Sequence, residues 1–264
     1  MSSGFHILTW GSEEHPPIVC LHAERGHARR FERLARMLHD RLRVVAYDLR
    51  GHGRSPWLGD QTLPAHASDL EEVMDACGIT QATILGDSFG ARVGIQFAAT
   101  HGDRATALVL LDPPLYPLYP TLDELEASGP AGTFASVDDA IEQVRAETGL
   151  AHTPRALLEE EMAEHLVADE DGRFRYRYSR EAAAAAMEEI AEPESHLGDI
   201  LCPTMVIHGE RSVLLGPADL EMIEDAVRRL RVEEVPGGHV VLWDAFAESS
   251  ALVRDFLVAK RQTA

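Results

Sequence analysis

The segment Gly86-Asp87-Ser88-Phe89-Gly90 has the residue types and the spacing of a nucleophile turn. It joins an apolar run at residues 82–85, typical of a buried strand, to a helical pattern that begins at Phe89. A serine held on such a turn needs neighbours without side-chain bulk, which the two glycines provide. Its hydroxyl then lies at the amino end of a helix, where backbone N–H groups favour developing negative charge. The segment therefore predicts a nucleophilic Ser88; the simpler alternative is an ordinary helix N-cap.

The elements around this turn alternate between strands and helices. Apolar runs that predict strands occur at residues 5–10, 18–22, 42–47, 82–85 and 107–111. Helical patterns occur between them, at residues 31–38, 70–77 and 89–100. Near-continuous apolar strands that alternate with amphipathic helices imply an α/β fold, in which a mostly parallel, doubly wound sheet is covered on both faces.

The pattern changes after Asp112, where a proline-rich segment begins, and the next strand pattern comes only at residues 204–208. We assign residues 113–202 to an inserted helical cap, and residues 1–112 and 203–264 to the core. The helical patterns of the cap lie at residues 136–147, 154–167 and 180–191. The core is predicted to resume with a helix at 217–230, a strand at 232–235 and a helix at 245–258.

Composition and charge exclude several classes of function. The 264 residues are 45% hydrophobic and 26% charged, as in ordinary globular domains. The 24 Lys and Arg against 44 Asp and Glu give a net charge of -20, which repels nucleic acid and anionic lipid surfaces. Residues 173–178 alternate arginine with aromatic residues, but at this net charge the pattern favours a cap strand with a solvated face over an RNA site. We therefore expect a small-molecule substrate and neither a nucleic-acid nor a membrane partner.

Location and cofactors can also be predicted. No apolar stretch reaches the length of a membrane helix, and the first residues lack the basic and apolar regions of a secretory signal, so we expect a cytoplasmic protein. The 3 cysteines are far apart and have no C-x-x-C spacing, which favours neither a disulfide framework nor a zinc site. We expect no metal and no cofactor. The oligomeric state stays open, with a homodimer as one option.

Four motifs together resemble the α/β-hydrolase-fold superfamily, in its capped type with a serine nucleophile. Residues 21–26 (LHAERG) are similar to its oxyanion loop, and residues 48–55 (DLRGHGRS) are similar to its D-x-R-G-x-G-x-S loop. The serine turn and residues 236–239 (PGGH) complete the set, which spans nearly the whole chain. The resemblance implies the α/β-hydrolase fold, a cap inserted between strands six and seven, and a nucleophile, an acid and a base in that order along the chain.

The resemblance places the catalytic base on His239, the histidine after the last strand. Most members carry the acid after the seventh strand, three residues beyond a glycine, and that position is Ser212 in this chain. Some members carry the acid at the end of the sixth strand, which corresponds to Asp112. We expect Asp112 to be the acid rather than a structural carboxylate, and the alternatives are Glu210 or no acid at all.

The resemblance also implies an oxyanion hole formed by the backbone N–H groups of Phe89 and Glu24. Glu24 brings a carboxylate to a position that is often apolar in the family. We expect its side chain to pair with Arg25 or Arg92; facing the substrate, it would disfavour anionic compounds. Aromatic residues of the cap could line a pocket, but we expect them to pack the cap on the core; they are Tyr116, Tyr119, Phe134, Phe174, Tyr176 and Tyr178.

These residues predict a serine hydrolase that cleaves a small-molecule ester, lactone or thioester through an acyl-enzyme on Ser88. Ser88 would attack the carbonyl, His239 would act as base and then as acid, and Asp112 would orient the imidazole. One alternative is another reaction in the same pocket, such as that of a C–C bond hydrolase, a lyase or a cofactor-free cyclase or oxygenase. A further alternative is a non-catalytic small-molecule sensor.

Overall fold

The computed structural model describes residues 4–57, 59–115, 133–146, 150 and 153–260. In the first part of the chain, strands and helices alternate as predicted. The elements in order are β1 (Ile7–Trp10), β2 (Pro17–Leu21), α1 (Glu32–Leu38), β3 (Arg43–Tyr47), α2 (Leu63–Ala76), β4 (Ala82–Asp87), α3 (Phe89–Thr100) and β5 (Ala105–Leu111). Helix α3 has the predicted bounds, and β4 runs two residues beyond its predicted end, up to the serine turn itself.

The described part of the insertion, which we call the cap, contains helices and one hairpin. Its elements are α4 (Val137–Ala146), α5 (Arg155–His165), β6 (Leu166–Ala168), β7 (Phe174–Tyr176) and α6 (Arg180–Ala191). Strands β6 and β7 are antiparallel, with Leu166 opposite Tyr176. Strand β7 is shorter than the predicted run because Tyr178 leaves the hairpin and forms a bridge with His52 of the core. The cap positions Tyr116 and Tyr119 lie outside the described residues.

The last part of the chain returns to the sheet. Its elements are β8 (Thr204–Gly209), α7 (Pro217–Ala226), β9 (Leu230–Val235), α8 (Val241–Asp244) and α9 (Phe246–Lys260). Helix α7 ends at Ala226 rather than at the predicted residue 230, because Leu230 pairs with Thr204 as the first residue of β9. Strand pairing with β8 thus overrides the local helical pattern.

A seven-stranded sheet forms the core, in the order β1-β3-β2-β4-β5-β8-β9. Within this sheet, β1 is antiparallel to its neighbour β3, and every other pair is parallel. The predicted fold class, a mostly parallel α/β sheet, is confirmed. The cap follows the fifth strand of this sheet in chain order and precedes the sixth, one strand earlier than the predicted place between strands six and seven. Because parallel neighbours end at the same edge, the carboxyl ends of β4, β5, β8 and β9 lie together.

Both faces of the sheet are covered by helices, which is why its strands read as nearly continuous apolar runs. Helices α2 and α3 bury one face, and helices α1, α8 and α9 bury the other. Successive residues of β2 alternate between the two layers: Val19 belongs to the first and Ile18 to the second. None of the helices in the described ranges combines the length and hydropathy that a transmembrane segment needs.

The cap packs on the core through an apolar cluster of its own. Ile141, Leu158 and Met162 of the cap are buried together with Val240 and Trp243, which lie within four residues after the segment 236–239. The cap aromatics add to this cluster: the rings of Phe134 and Tyr176 meet edge to face, with centroids 5.1 Å apart, and Tyr176 stacks on Tyr178 at 5.4 Å. For the described aromatics, packing is the role that these contacts show.

Buried charges also join the cap to the core. Arg30 Nε donates to Glu161 Oε1 of α5 at 2.8 Å, and His27 Nε2 lies 2.9 Å from Glu161 Oε2. His165, on the next turn of α5, is buried against the same carboxylate, with its Nδ1 3.5 Å from Glu161 Oε1. The three side chains of His27, Glu161 and His165 have the spacing of metal ligands, but the Arg30 guanidinium already neutralises the carboxylate. We therefore treat the group as an ionic link between cap and core.

Candidate active site

Ser88 occupies a strained turn between β4 and α3. Its backbone angles are φ 52 and ψ -115, in a region that residues other than glycine rarely adopt. Its N–H donates to the carbonyl of Leu111 at 3.0 Å, which joins the turn to the end of β5. The following N–H, that of Phe89, is the first of helix α3 and has no partner from the helix itself. The turn therefore presents the serine beside a backbone donor that has no partner among the described residues.

The glycines on either side of the turn are required by close backbone approach. A Cβ on Gly86 would lie 2.2 Å from the carbonyl oxygen of Gly90. A Cβ on Gly90 would lie 2.2 Å from the carbonyl oxygen of Leu21, at the end of β2. No side chain fits at either position without movement of the backbone, which is the physical reason for the G-x-S-x-G spacing.

Asp112 follows β5 directly and lies beside His239. Its side chain is fully buried, its φ is 44, and its N–H donates to the carbonyl of Ile207 of β8 at 2.8 Å. Asp112 Oδ2 is 2.5 Å from His239 Nδ1, and it also accepts a hydrogen bond from Ser212 Oγ at 2.5 Å. Glu210, the alternative acid, instead pairs with Arg211, with Oε1 and Nη1 2.5 Å apart. The structure thus brings together Asp112 and His239, and it gives Glu210 another partner.

The charges around His239 raise the pKa of its imidazole. Burial by itself lowers this pKa, but the hydrogen bond and the charge of Asp112 outweigh burial, and the charges of Asp87 and Glu24 act in the same direction. Asp87 precedes the serine and is buried, and burial raises its pKa to about 6 despite the opposing charges of His239 and Arg30. An imidazolium at this position is therefore stabilised by carboxylates on several sides.

The loop that carries His239 is fixed at both ends. A Cβ on Gly209 would lie 2.1 Å from the carbonyl oxygen of Gly238, so the end of β8 touches this loop directly. The N–H of Gly238 donates to Asp244 Oδ2 of α8 at 2.8 Å. The other oxygen of the same carboxylate, Oδ1, accepts from Thr153 Oγ1 of the cap at 2.9 Å. Asp244 therefore holds the histidine loop and the cap with one side chain.

The loop after β2 is shaped by two buried histidines. The N–H of Leu49 donates to His22 Nε2 at 2.9 Å, so the proton of the ring is on Nδ1, which donates to the carbonyl of Ala23 at 2.7 Å. His52 Nε2 is hydrogen-bonded to the carbonyl of Glu24. Burial lowers the pKa of His22 well below its usual value, which keeps this ring neutral. These contacts fix the carbonyls of residues 23 and 24, and with them the direction of the neighbouring N–H groups.

The side chain of Glu24 pairs with Arg25, one of the two expected partners. Its Oε1 is 3.5 Å from Arg25 Nε, whereas Arg92 binds Glu194 with Nε and Oε2 2.7 Å apart. Burial raises the pKa of Glu24, but the charges of Arg25 and His239 outweigh burial and lower it. Glu24 is therefore ionised close to the candidate base.

Several residues of this site carry no signal that sequence reasoning used. In the sequence, Ser212 indicates only that the usual acid position lacks a carboxylate. A serine there can still donate a hydrogen bond to a carboxylate from another part of the chain. Asp244 belongs to no recognised pattern, and His52 is at an unspecified position of the D-x-R-G-x-G-x-S loop; the roles of both depend on which loops the fold brings together. The motifs at residues 48–55 and 21–26 contain His52 and Glu24, but neither motif predicts the hydrogen bond between them.

Fold and sequence match a known family. A family model described as the alpha/beta hydrolase fold matches residues 16–246. Lipase LipV of Mycobacterium tuberculosis (strain ATCC 25618 / H37Rv) is 33% identical over 191 residues, which are 70% of this chain and 71% of that protein. A serine hydrolase-like protein of Homo sapiens is 37% identical over 120 residues, which are 44% of this chain and 58% of that protein.

The fold also matches solved structures over nearly the full chain. The structure of an E-2-(acetamidomethylene)succinate hydrolase superposes with a TM-score of 0.86 at 24% identity, covering 96% of this chain and 94% of that chain. At this identity the likeness concerns the fold alone. The family model, by contrast, spans the serine turn, Asp112 and His239. The chain therefore belongs to the α/β hydrolase fold family and is an enzyme of the carboxylic ester hydrolase type.

Proposed function

We propose that this enzyme hydrolyses a small-molecule carboxylic ester, lactone or thioester through an acyl-enzyme on Ser88. The observation that carries the proposal is the 2.5 Å contact between Asp112 Oδ2 and His239 Nδ1, formed next to the turn that bears Ser88. Because Nδ1–H donates to the carboxylate, the neutral ring has its lone pair on Nε2. A histidine in this tautomer can accept the proton of a serine hydroxyl.

The reaction would proceed in two displacements. Ser88 Oγ attacks the carbonyl carbon while His239 Nε2 takes the hydroxyl proton, and the oxyanion accepts hydrogen bonds from the N–H groups of Phe89 and Glu24. The tetrahedral intermediate then expels the alcohol or thiol, which receives the proton from His239. Water attacks the acyl-enzyme with His239 again as base, and the carboxylic acid leaves. Each backbone donor in such a hole typically contributes about 10² to 10³ in rate.

The electrostatics of the site support these roles. The imidazolium formed in each step lies against Asp112, with Asp87 and Glu24 near enough to raise its pKa further. Their negative charge also favours an uncharged acyl group over an anionic one in the same pocket. The ester-hydrolase names of the relatives, such as Lipase LipV, support an ester as the substrate class.

A fluorophosphonate probe tests the nucleophile. We expect the folded protein to be labelled on Ser88 and the Ser88→Ala variant to remain unlabelled, while Ser12→Ala, an exposed serine, is labelled like the wild type. Turnover of p-nitrophenyl esters should disappear with the label. An unlabelled wild-type protein would contradict the proposal, and turnover of vinylogous diketones without ester turnover would instead favour C–C bond hydrolysis.

A further inference from the structure

Ser212 contacts the carboxylate that orients the imidazole. Its Oγ lies 2.5 Å from Asp112 Oδ2, and the same oxygen lies 2.5 Å from His239 Nδ1. The other oxygen, Asp112 Oδ1, is buried and has no hydrogen-bond partner among the described residues. In the part of the chain that the structure describes, Ser212 and His239 are therefore the two side chains that fix the direction of this carboxylate.

The geometry of its loop determines which way the Ser212 hydroxyl points. The N–H of Ser212 donates to the carbonyl of Gly209 at 2.9 Å, which closes a tight turn at the end of β8. The N–H of Leu214 donates to Ser212 Oγ at 3.2 Å and occupies an acceptor site of the hydroxyl. A hydroxyl has a single proton, and an ionised carboxylate can only accept. The proton of Ser212 is therefore directed to Asp112.

We propose that Ser212 is a positioning residue of the hydrolytic reaction, acting on His239 through Asp112; this rests on the function proposed above. Its hydrogen bond stabilises the charged form of a fully buried carboxylate in the part of the cycle when His239 is neutral. It also shares Oδ2 with the imidazole, which limits how strongly Asp112 attracts the proton on Nδ1. The serine thus holds the carboxylate in place while the proton on Nε2 comes and goes.

Removal of the hydroxyl tests this role. In Ser212→Ala we expect kcat to fall about tenfold with KM nearly unchanged, the order expected for loss of one charge-assisted hydrogen bond. The acid limb of the pH dependence of kcat/KM should move to higher pH. The reason is that Asp112 then interacts with His239 alone and raises the pKa of the imidazole further. Ser212→Thr, which keeps a hydroxyl, should restore both the rate and the pH profile.

A matched control separates this role from a general effect of losing a serine. Ser179 Oγ donates to Glu181 Oε2 at 2.8 Å in the cap, so Ser179→Ala removes a similar hydrogen bond outside the site. We expect its kcat and pH profile to equal those of the wild type. A second design moves the acid: because Ser212 and His239 both contact Asp112 Oδ2, we expect a carboxylate at position 212 to reach the imidazole. Asp112→Asn combined with Ser212→Asp should recover at least tenfold of the activity lost in Asp112→Asn alone.

The outcomes distinguish this proposal from the function on which it rests. If Ser212→Ala retains the wild-type kcat and acid limb while Ser88 is still labelled by fluorophosphonate, the positioning role is overturned and the hydrolase function stands. If Ser212→Ala and Ser212→Thr lose activity equally with an unshifted acid limb, the serine has a structural role only, which also overturns the proposal. If the wild type itself is not labelled, the function fails first.

Discussion

At the scale of single residues, the backbone is strained where the chemistry is proposed. Ser88 and Asp112 have φ angles of 52° and 44°, and among the described residues they are the two non-glycine positions with positive φ. Such conformations typically cost about 1–3 kcal/mol each. Both residues directly follow a parallel strand, and both N–H groups are bonded to a neighbouring strand, Ser88 to Leu111 and Asp112 to Ile207. The sheet thus holds each residue in a conformation that it would not adopt alone.

The acid can be tested by Asp112→Asn, which keeps the shape of the side chain and removes its charge. We expect kcat to fall by about 10⁴, because the amide no longer holds the imidazole in its productive tautomer. Asp112 raises the pKa of His239, so its loss lowers that pKa. A base is active when deprotonated, and the remaining activity should therefore persist to lower pH than in the wild type. The pH dependence of kcat/KM measures both effects.

Glu210 supplies the matched control for this experiment. It is exposed and bound to Arg211, so Glu210→Gln should leave kcat and the acid limb unchanged. If Glu210→Gln were inactive and Asp112→Asn fully active, the acid would be Glu210 after β8 and not Asp112 after β5.

The glycine after the serine gives a prediction about the turn. In Gly90→Ala the new Cβ would lie 2.2 Å from the carbonyl oxygen of Leu21, so either β2 or α3 must shift. We expect a fall in thermal stability and loss of fluorophosphonate labelling. Gly198→Ala is the control, because nothing lies within 4 Å of its Cβ and its stability and labelling should match the wild type. A stable, fully labelled Gly90→Ala protein would refute the close approach.

How far the site could be predicted depends on the type of signal. Ser88 can be predicted from local spacing, because the glycines and the serine are close together in the sequence. His239 and Asp112 follow only from resemblance to a family, and the sequence alone left Glu210 open. The hydrogen bond from Ser212 to Asp112 joins residues 100 positions apart and depends on the register of β5 against β8, which no local pattern encodes.

At the scale of elements, the link between α5 and the core is the buried pair of Arg30 and Glu161. Burial alone would raise the pKa of Glu161, but the charges of Arg30 and His27 hold it well below its usual range. The pair therefore contributes stability at neutral pH, and this contribution is lost as the pH falls below the ordinary carboxyl pKa toward the depressed value. Acidic conditions should therefore weaken the attachment of the cap to the core.

Glu161→Gln tests this link. The substitution leaves Arg30 buried without a counter-charge, and we expect the free energy of unfolding to fall by about 3–5 kcal/mol. Glu159→Gln on the same helix is the control: its ion pair with Arg155 is exposed and should contribute about 0–1 kcal/mol. Urea unfolding of the two variants at neutral pH makes the comparison. Equal stability of both would contradict a link through Glu161.

Elements with strong periodicity were predictable almost to the residue, and those that depend on distant partners were not. Helices α3 and α6 have their predicted bounds: α3 begins directly after the serine turn, and α6 combines good helix formers with a side-chain N-cap, Ser179. Helix α7 stops early because Leu230 is drawn into the sheet. The hairpin strand β7 is cut short because Tyr178 bridges to His52 in the core.

At the scale of the whole molecule, strand order decides which residues can act together. The sheet places β4, β5, β8 and β9 side by side, so loops that begin at residues 88, 112, 210 and 236 open at one edge. The alternation of strands and helices predicts a parallel sheet but not this order, which depends on which strands pair in the folded chain. The net charge of -20 is also a property of the whole molecule. It affects which partners the protein attracts or repels rather than the chemistry of the site.

Asp244 connects the cap to the loop that carries the candidate base. One of its oxygens is bonded to Thr153 in the cap and the other to Gly238, next to the base. Any displacement that lifts residue 153 away removes one of two restraints on this carboxylate, and the segment bearing the imidazole is then less firmly anchored. The position of the cap at Thr153 and the position of the segment bearing the imidazole are consequently linked through a single carboxylate.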